Sequence, residues 1–206
     1  MPQRGPYVRT TTRRTARVSA VLLVTALALA GCSTPPWATP TASPTVSPTS
    51  TEAPQPVPND LSSGSTERAL TAGPLTISID YWSTLTMDKW TADALKPVSL
   101  SMITQITPND GQKVYLQRAT MIATPMSATE TFDTLSAQVD SATTSPGYLV
   151  LDPYSYSQTF TVGPTPKGAT YVSLEFTYEY LVQATPTSSD YAKQTATDTI
   201  TVAITK

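Results

Sequence analysis

The run Thr170-Tyr171-Val172-Ser173-Leu174-Glu175-Phe176-Thr177-Tyr178-Glu179-Tyr180-Leu181-Val182 alternates without a break. Val172, Leu174, Phe176, Tyr178 and Tyr180 fall on one parity, and Ser173, Glu175, Thr177 and Glu179 on the other. Successive side chains of a strand point to opposite faces, so a period of two predicts a strand with one face in a core and one in water. Its β-branched and aromatic residues are the types that fit a pleated, half-buried surface. A chain that devotes its longest patterned stretch to such a strand must build the rest of its core from strands as well.

The same pattern recurs on both sides. Thr195 to Thr205 closes the chain with Ala196, Ile200, Val202 and Ile204 inward and Thr197, Thr199 and Thr201 outward. Upstream, Leu75, Ile77, Ile79 and Tyr81 alternate with Thr76, Ser78, Asp80 and Trp82. Val98 to Thr107 repeats the pattern with Val98, Leu100 and Met102 on one face, and Pro108-Asn109-Asp110-Gly111 follows as a turn whose glycine supplies positive φ. Lys113 to Thr124 returns, so the two arms are expected to form a hairpin. Between Ser127 and Ser141 two readings compete. Ser127 and Glu130 match a capping box over a helix bearing Phe132, Leu135 and Val139, while Leu135, Ala137 and Val139 also alternate as a strand does. The surrounding β pattern favours the strand. Pro146-Gly147 makes another turn, and Asp152-Pro153 separates a strand over Tyr148 to Leu151 from one over Tyr156 to Val162. Seven or eight strands over about 140 residues, with turn signals at this spacing, predict an all-β fold: an antiparallel, immunoglobulin-like β-sandwich. The cysteine pair of true immunoglobulin domains is absent, so the expectation concerns architecture alone.

The front third of the chain is different. Met1 to Arg17 is basic, and Val18 to Ala30 is an apolar run of about a dozen residues. A bilayer span needs roughly 20 apolar residues, so this is the length of a signal-peptide core. Arg13-Arg14 suggests a twin-arginine signal only weakly, since Ala16 and Arg17 stand where a hydrophobic pair is needed; general secretory export is expected. Ser33 to Thr66 is dominated by Pro, Ser and Thr, with Pro40, Pro44 and Pro48 at even intervals. Such a segment buries too little apolar surface to offset its ordering entropy. It reads as a tether with a reach on the order of 100 Å, and its Ser/Thr density beside proline permits O-glycosylation. The expected organisation is a signal peptide over 1–31, a lipidated N-terminus and disordered linker over 32–66, and the sandwich over 67–206.

At the junction of apolar run and tether stands Leu29-Ala30-Gly31-Cys32, which contains the only cysteine. This stretch resembles the lipobox of bacterial lipoproteins. The resemblance implies that Cys32 receives a diacylglyceryl group on its sulfur, with acyl chains such as palmitate, and that the precursor is cut between Gly31 and Cys32, which becomes the new N-terminus. Small residues at 30 and 31 let a peptidase approach the backbone. Acyl chains contribute about 0.8 kcal/mol per buried CH₂, and more than one chain is needed for stable anchoring. The expected place is the outer face of the cytoplasmic membrane, lipid-anchored and extending into the cell wall. The globular part is loosely similar to the C-terminal half of uncharacterised secreted lipoproteins of actinobacteria, through Tyr156 to Val162 with Pro164, Tyr171 to Val182, and Tyr191-Ala192-Lys193-Gln194-Thr195-Ala196-Thr197-Asp198-Thr199. That similarity implies no activity.

Composition removes several functional classes. The 206 residues include no histidine, and so lack the commonest general base and zinc ligand. A single cysteine cannot form an internal disulfide. The formal charge is −2, but the five arginines before Cys32 have no acidic neighbours, and without them it is about −7; nucleic acid is not an expected partner. No metal or cofactor site is expected. Asn109-Asp110-Gly111 lacks the downstream acidic positions of a calcium loop. An isopeptide staple from Lys to Asn has no suitable asparagine, which leaves only a Lys-to-Asp variant. Asp80, Asp88 and Asp93 lie near one another beside Trp82 and Trp90, a composition a glycosidase uses, but charges that keep an acidic domain soluble and tryptophans that cover one end of the sandwich explain it better; an enzyme is not expected. Candidate binding residues are Trp82, Trp90, Tyr154 and Tyr156, aromatics placed at or near turns. Two functions fit: display of a non-enzymatic sandwich for binding or adhesion, to a cell-wall glycan or a protein, or service as an accessory subunit of a membrane transporter or cell-wall enzyme. An exposed aromatic groove would favour the glycan, and a broad apolar patch the protein partner.

Overall fold

A computed structural model describes residues 56–206. The basic segment, the apolar run, the lipobox with Cys32 and the tether up to residue 55 lie outside the described residues. Nine strands follow in order: β1 (Ser65–Ala72), β2 (Leu75–Trp82), β3 (Lys96–Ile106), β4 (Val114–Met126), β5 (Gln138–Ser141), β6 (Tyr148–Leu149), β7 (Ser155–Val162), β8 (Tyr171–Gln183) and β9 (Tyr191–Ala203). They form two antiparallel sheets. One has the order β1-β2-β3-β7, and the other β5-β4-β8-β9 with β6 also paired to β4. The chain crosses between sheets from β3 to β4, from β6 to β7 and from β7 to β8. This is the connectivity of an immunoglobulin-like sandwich, in which strands distant in sequence become neighbours.

The inner faces meet where the alternating pattern places their apolar residues. Val172, Leu174, Phe176, Tyr178 and Tyr180 of β8 are all buried, as are Leu75, Ile77, Ile79 and Tyr81 of β2. Phe176 sits at the centre, its ring 4.9 Å from Tyr81 and 6.0 Å from Phe160 of the opposite sheet. Burial of each such side chain contributes about 1.5–3 kcal/mol, which is why the hydrophobic parity fixes register so firmly. Tyrosine hydroxyls in this core need partners. Those of Tyr81 and Tyr178 lie 2.9 Å apart, and Tyr180 donates to Met102 Sδ at 3.2 Å.

Turns act as their residues dictate. Gly73-Pro74 joins β1 to β2 in a two-residue loop, with Gly73 at φ +58° in the first central position, where a primed turn requires it. Gly111 has φ +94°, and its N–H donates to Asn109 Oδ1 at 3.0 Å, closing an Asx turn.

Sheet edges are covered by side chains. On β9, Asp60 pairs with Thr201 through both its N–H to the carbonyl and its Oδ2 from the Thr201 N–H, each at 2.7 Å. On β7, Gln138 accepts from Thr161 N–H at 2.9 Å and donates to the Thr161 carbonyl. Each substitutes for a missing strand and leaves no open ladder there for a second chain to join.

Four expectations are corrected. The arms around Pro108–Gly111 do not pair with each other: β3 bonds to β2 and β7, and β4 to β5, β6 and β8. The turn is real but it changes sheet. The segment from 127 to 137 is mostly irregular, with β5 confined to Gln138–Ser141. Ser127 Oγ does accept from Glu130 N–H at 3.0 Å, but it closes a turn that no helix continues. The strand over Tyr148 to Leu151 is only two residues long, because Leu151 leaves β4 and bridges to Thr104 of the other sheet. Finally, the packed domain begins before residue 67: Leu61 is fully buried and β1 starts at Ser65.

Candidate functional site

The outer face of the β1-β2-β3-β7 sheet carries a groove of about 680 Å³, open along one side. Register places its side chains in rows. Glu67, Asp80, Ser101 and Ser157 lie across from one another in one row; Ala69, Ser78, Ile103 and Ser155 form the next. The floor is shallow because these residues are short. Trp82, half-buried, stands on the same face two residues beyond Asp80, roughly 7 Å along the strand. Arg68, the residue after Glu67, turns to the inner face, donates from Nη2 to Asp60 Oδ1 at 2.9 Å and holds Nε 4.0 Å from Asp198. Asp80 Oδ1 is closed off from solvent without a hydrogen-bond partner.

The four aromatic candidates do not converge. Trp90 is fully buried and donates from Nε1 to Ser83 Oγ at 3.2 Å, so it is core and not a platform. Tyr156 is buried as well, stacked on Tyr148 at 5.7 Å, with its hydroxyl donating to Asp140 Oδ2 at 2.6 Å. Burial, then the Asp140 bond and charge, push its pKa far above the ordinary tyrosine value. Tyr154 is exposed, in the connection between β6 and β7, away from Trp82 in both sequence and strand order. None of the four lines the groove; Trp82 stands beside it, on the same face of β2.

The acidic trio also separates. Asp88 is exposed in the single 3₁₀ turn Met87–Lys89, where a bond from Thr86 and the neighbouring Lys89 hold its pKa below the ordinary carboxylate value. Asp93 lies in the β2–β3 loop and acts electrostatically on Lys96. Asp80 alone faces the groove. Glu67, Ser101 and Ser155 were missed, although the Gly73-Pro74 loop held the clue. A two-residue turn sets Ala72 opposite Leu75, and counting back along both arms puts Glu67 opposite Asp80.

Two further polar assemblies differ in burial, the first fully buried and the second partly exposed. Lys96 is fully buried at the start of β3, and its Nζ donates to the carbonyls of Ala94 at 2.7 Å, Gly163 at 3.0 Å, Thr91 at 3.1 Å and Ala92 at 3.4 Å. Burial pulls its pKa below the ordinary value, with the Asp93 charge pushing the other way. Its partners are main-chain oxygens, and it forms no ion pair within 4.0 Å. The one Lys–Asp ion pair among the described residues joins the exposed chain neighbours Lys89 and Asp88, so no such pair links two strands. The second assembly runs from Asp60 through Arg68 to Asp198, beside the Tyr81–Tyr178 hydroxyl pair. No group of three or more acidic, cysteine or histidine side chains suited to a metal occurs among the described residues. No protein-family model matches the chain, and no curated protein is similar to it.

Proposed function

We propose that this chain is the precursor of a surface lipoprotein, anchored through Cys32, whose sandwich is a non-enzymatic binding module for cell-wall glycan. The observation that carries the binding half is the groove on the outer face of β1-β2-β3-β7, with Trp82 two residues beyond Asp80 on the same face of β2. Its floor of serine hydroxyls both donates and accepts, which suits sugar hydroxyls, and an aromatic face beside them suits the apolar side of a sugar ring. The large exposed apolar residues Val57, Leu95, Val139 and Tyr154 stand on four separate segments, which favours a glycan over a protein partner that needs a continuous apolar patch. The anchoring half rests on Leu29-Ala30-Gly31-Cys32 and the Pro/Ser/Thr tract behind it.

One preparation tests both halves. The protein is recovered from membranes of the expressing bacterium, its N-terminus is read by mass spectrometry, and it is sedimented with purified insoluble cell-wall glycan. The expected result is a diacylated Cys32 at the N-terminus and co-sedimentation that Trp82→Ala reduces about tenfold. An N-terminus at Met1 or a bare Cys32 sinks the anchor. Undiminished sedimentation of the Trp82→Ala protein sinks the groove, and release of sugar products that stops in Asp80→Asn makes the module an enzyme.

A further inference from the structure

The free edge of β9 is capped only over its last part. In the β8–β9 ladder, unbroken from Tyr191 to Ala203, the even-numbered residues of β9 bond to β8, and Ile204 continues their row with its N–H on the Thr170 carbonyl at 2.8 Å. Odd-numbered residues therefore turn N–H and C=O outward, as Thr201 does in bonding both to Asp60. Thr205 N–H reaches the Trp90 carbonyl at 2.8 Å, and Thr199 N–H the Asp198 carboxylate at 2.8 Å. Before Thr199 the caps stop. Lys193, Thr195 and Thr197 are exposed, and among the described residues no group bonds to their outward N–H or C=O.

We propose that this open stretch pairs with the same stretch of a second copy of the chain, antiparallel, about a two-fold axis through Thr195. Length and symmetry argue for a copy. The strand starts at Tyr191 and its first cap is at Thr199, so an axis through Thr195, midway between them, matches the open stretch to itself and to nothing beyond. Lys193 then opposes Thr197 of the second copy, the two Thr195 residues oppose each other, and all three positions exchange both main-chain bonds. Opposed threonines are a favourable cross-strand pair. A lysine on an edge ordinarily discourages pairing, but Lys193 Nζ is held by Glu179 Oε2 of its own chain at 2.8 Å and meets a threonine across the join. An unrelated extended peptide would meet the same main-chain groups, yet neither the groove nor the smaller pocket beside Gln117 lies on this edge to read its side chains. The contact is short, below the roughly 1,200 Å² of standard stable complexes, so the dimer is weak. It leaves the outer face of β1-β2-β3-β7 uncovered, and a pair presents two grooves to a repeating ligand.

The test measures the mass of the full-length protein in density-matched nonionic detergent by sedimentation equilibrium, from about 1 µM to about 1 mM. The protein mass is expected to rise towards that of two chains. Thr195→Lys sets like charges opposite each other at the axis and is expected to weaken association at least about tenfold, whereas Thr161→Lys, on the edge that Gln138 caps, leaves it unchanged. Cysteine pairing under mild oxidation reads the register, with the wild type as the blank for Cys32. Thr195→Cys is expected to form a disulfide-linked dimer, and Lys193→Cys to do so only when mixed with Thr197→Cys, because opposed Cα atoms lie about 5.5 Å apart and the two 193 positions more than about 7 Å. A single-chain mass at every concentration overturns the dimer, and slow hydrogen exchange at the Lys193, Thr195 and Thr197 amides of that monomer would assign the edge to another segment of the same chain. A dimer that Thr195→Lys leaves intact overturns the choice of edge, and self-linking of Lys193→Cys overturns the register.

Discussion

Lys96 shows how much one residue can organise in a domain without disulfides. Its ammonium gathers four carbonyls, three from the β2–β3 loop and one from the segment after β7. It thereby ties two distant stretches to the same end of the sandwich. Lysine is seldom fully buried unless its charge is compensated, and here three N–H donors shared among four oxygens supply that compensation. Lys96→Met keeps most of the stem volume but leaves carbonyls buried without donors, at about 1–3 kcal/mol each where water cannot enter. A loss of about 3 kcal/mol in urea unfolding is expected, against less than about 0.5 for the exposed Lys89→Met. A Lys96→Met protein within about 1 kcal/mol of wild type would mean that the loop holds together without the ammonium.

At the scale of elements, Gln138 does for β7 what a neighbouring strand would otherwise do. One amide satisfies both main-chain groups of Thr161, so Gln138→Ala should cost about 1 kcal/mol and speed exchange of the Thr161 amide, read by hydrogen exchange, while Ile79 in the interior strand β2 is unaffected. Unchanged exchange at Thr161 would show that the edge is protected by something else. This cap also marks where sequence reading stops. Strands with strict parity, such as Leu75–Trp82 and Tyr171–Gln183, were legible because burial of one face enforces the period. β1 was not, since its inward residues Thr66, Arg68 and Leu70 are only half-covered at an edge and carry little apolar signal. The supposed hairpin at Pro108–Gly111 failed for a different reason. A turn reports that the chain reverses, whereas the choice of sheet for the returning arm is made by residues far away, here β8. The site was legible in part: Asp80 and Trp82 were noticed, but their partner Glu67 required register. Trp90 misled because a loop position in sequence gives no measure of burial.

For the whole molecule, the buried tyrosines set the alkaline limit of stability. Tyr81, Tyr178, Tyr180 and Tyr156 all have pKa values raised far above the ordinary value near 10, with burial the leading cause in each. The hydroxyl of Tyr178 lowers the Tyr81 value somewhat, while the nearby Asp198 charge raises it. A raised folded pKa means that this stabilisation is complete below about pH 10 and is lost above it, where the unfolded chain ionises and the folded one does not. Each such tyrosine removes about 1.4 kcal/mol per pH unit, so the four together remove about 5.6. Lys96 runs the other way: with its folded pKa lowered, it adds stability as pH rises towards the unfolded lysine value and nothing more beyond about 10.5. Against a total stability on the order of 5–15 kcal/mol, unfolding is expected one to three units above pH 10, in one cooperative step. In a spectrophotometric titration, the absorbance of these four phenolates should appear together with the loss of the β-sheet circular dichroism signal. Tyr178→Phe should lower the pH slope of stability by about a quarter. Ionisation of the four well before the dichroism changes would show that water reaches the space between the sheets, and the sandwich core would then be looser than the Tyr81, Phe176 and Tyr178 packing implies.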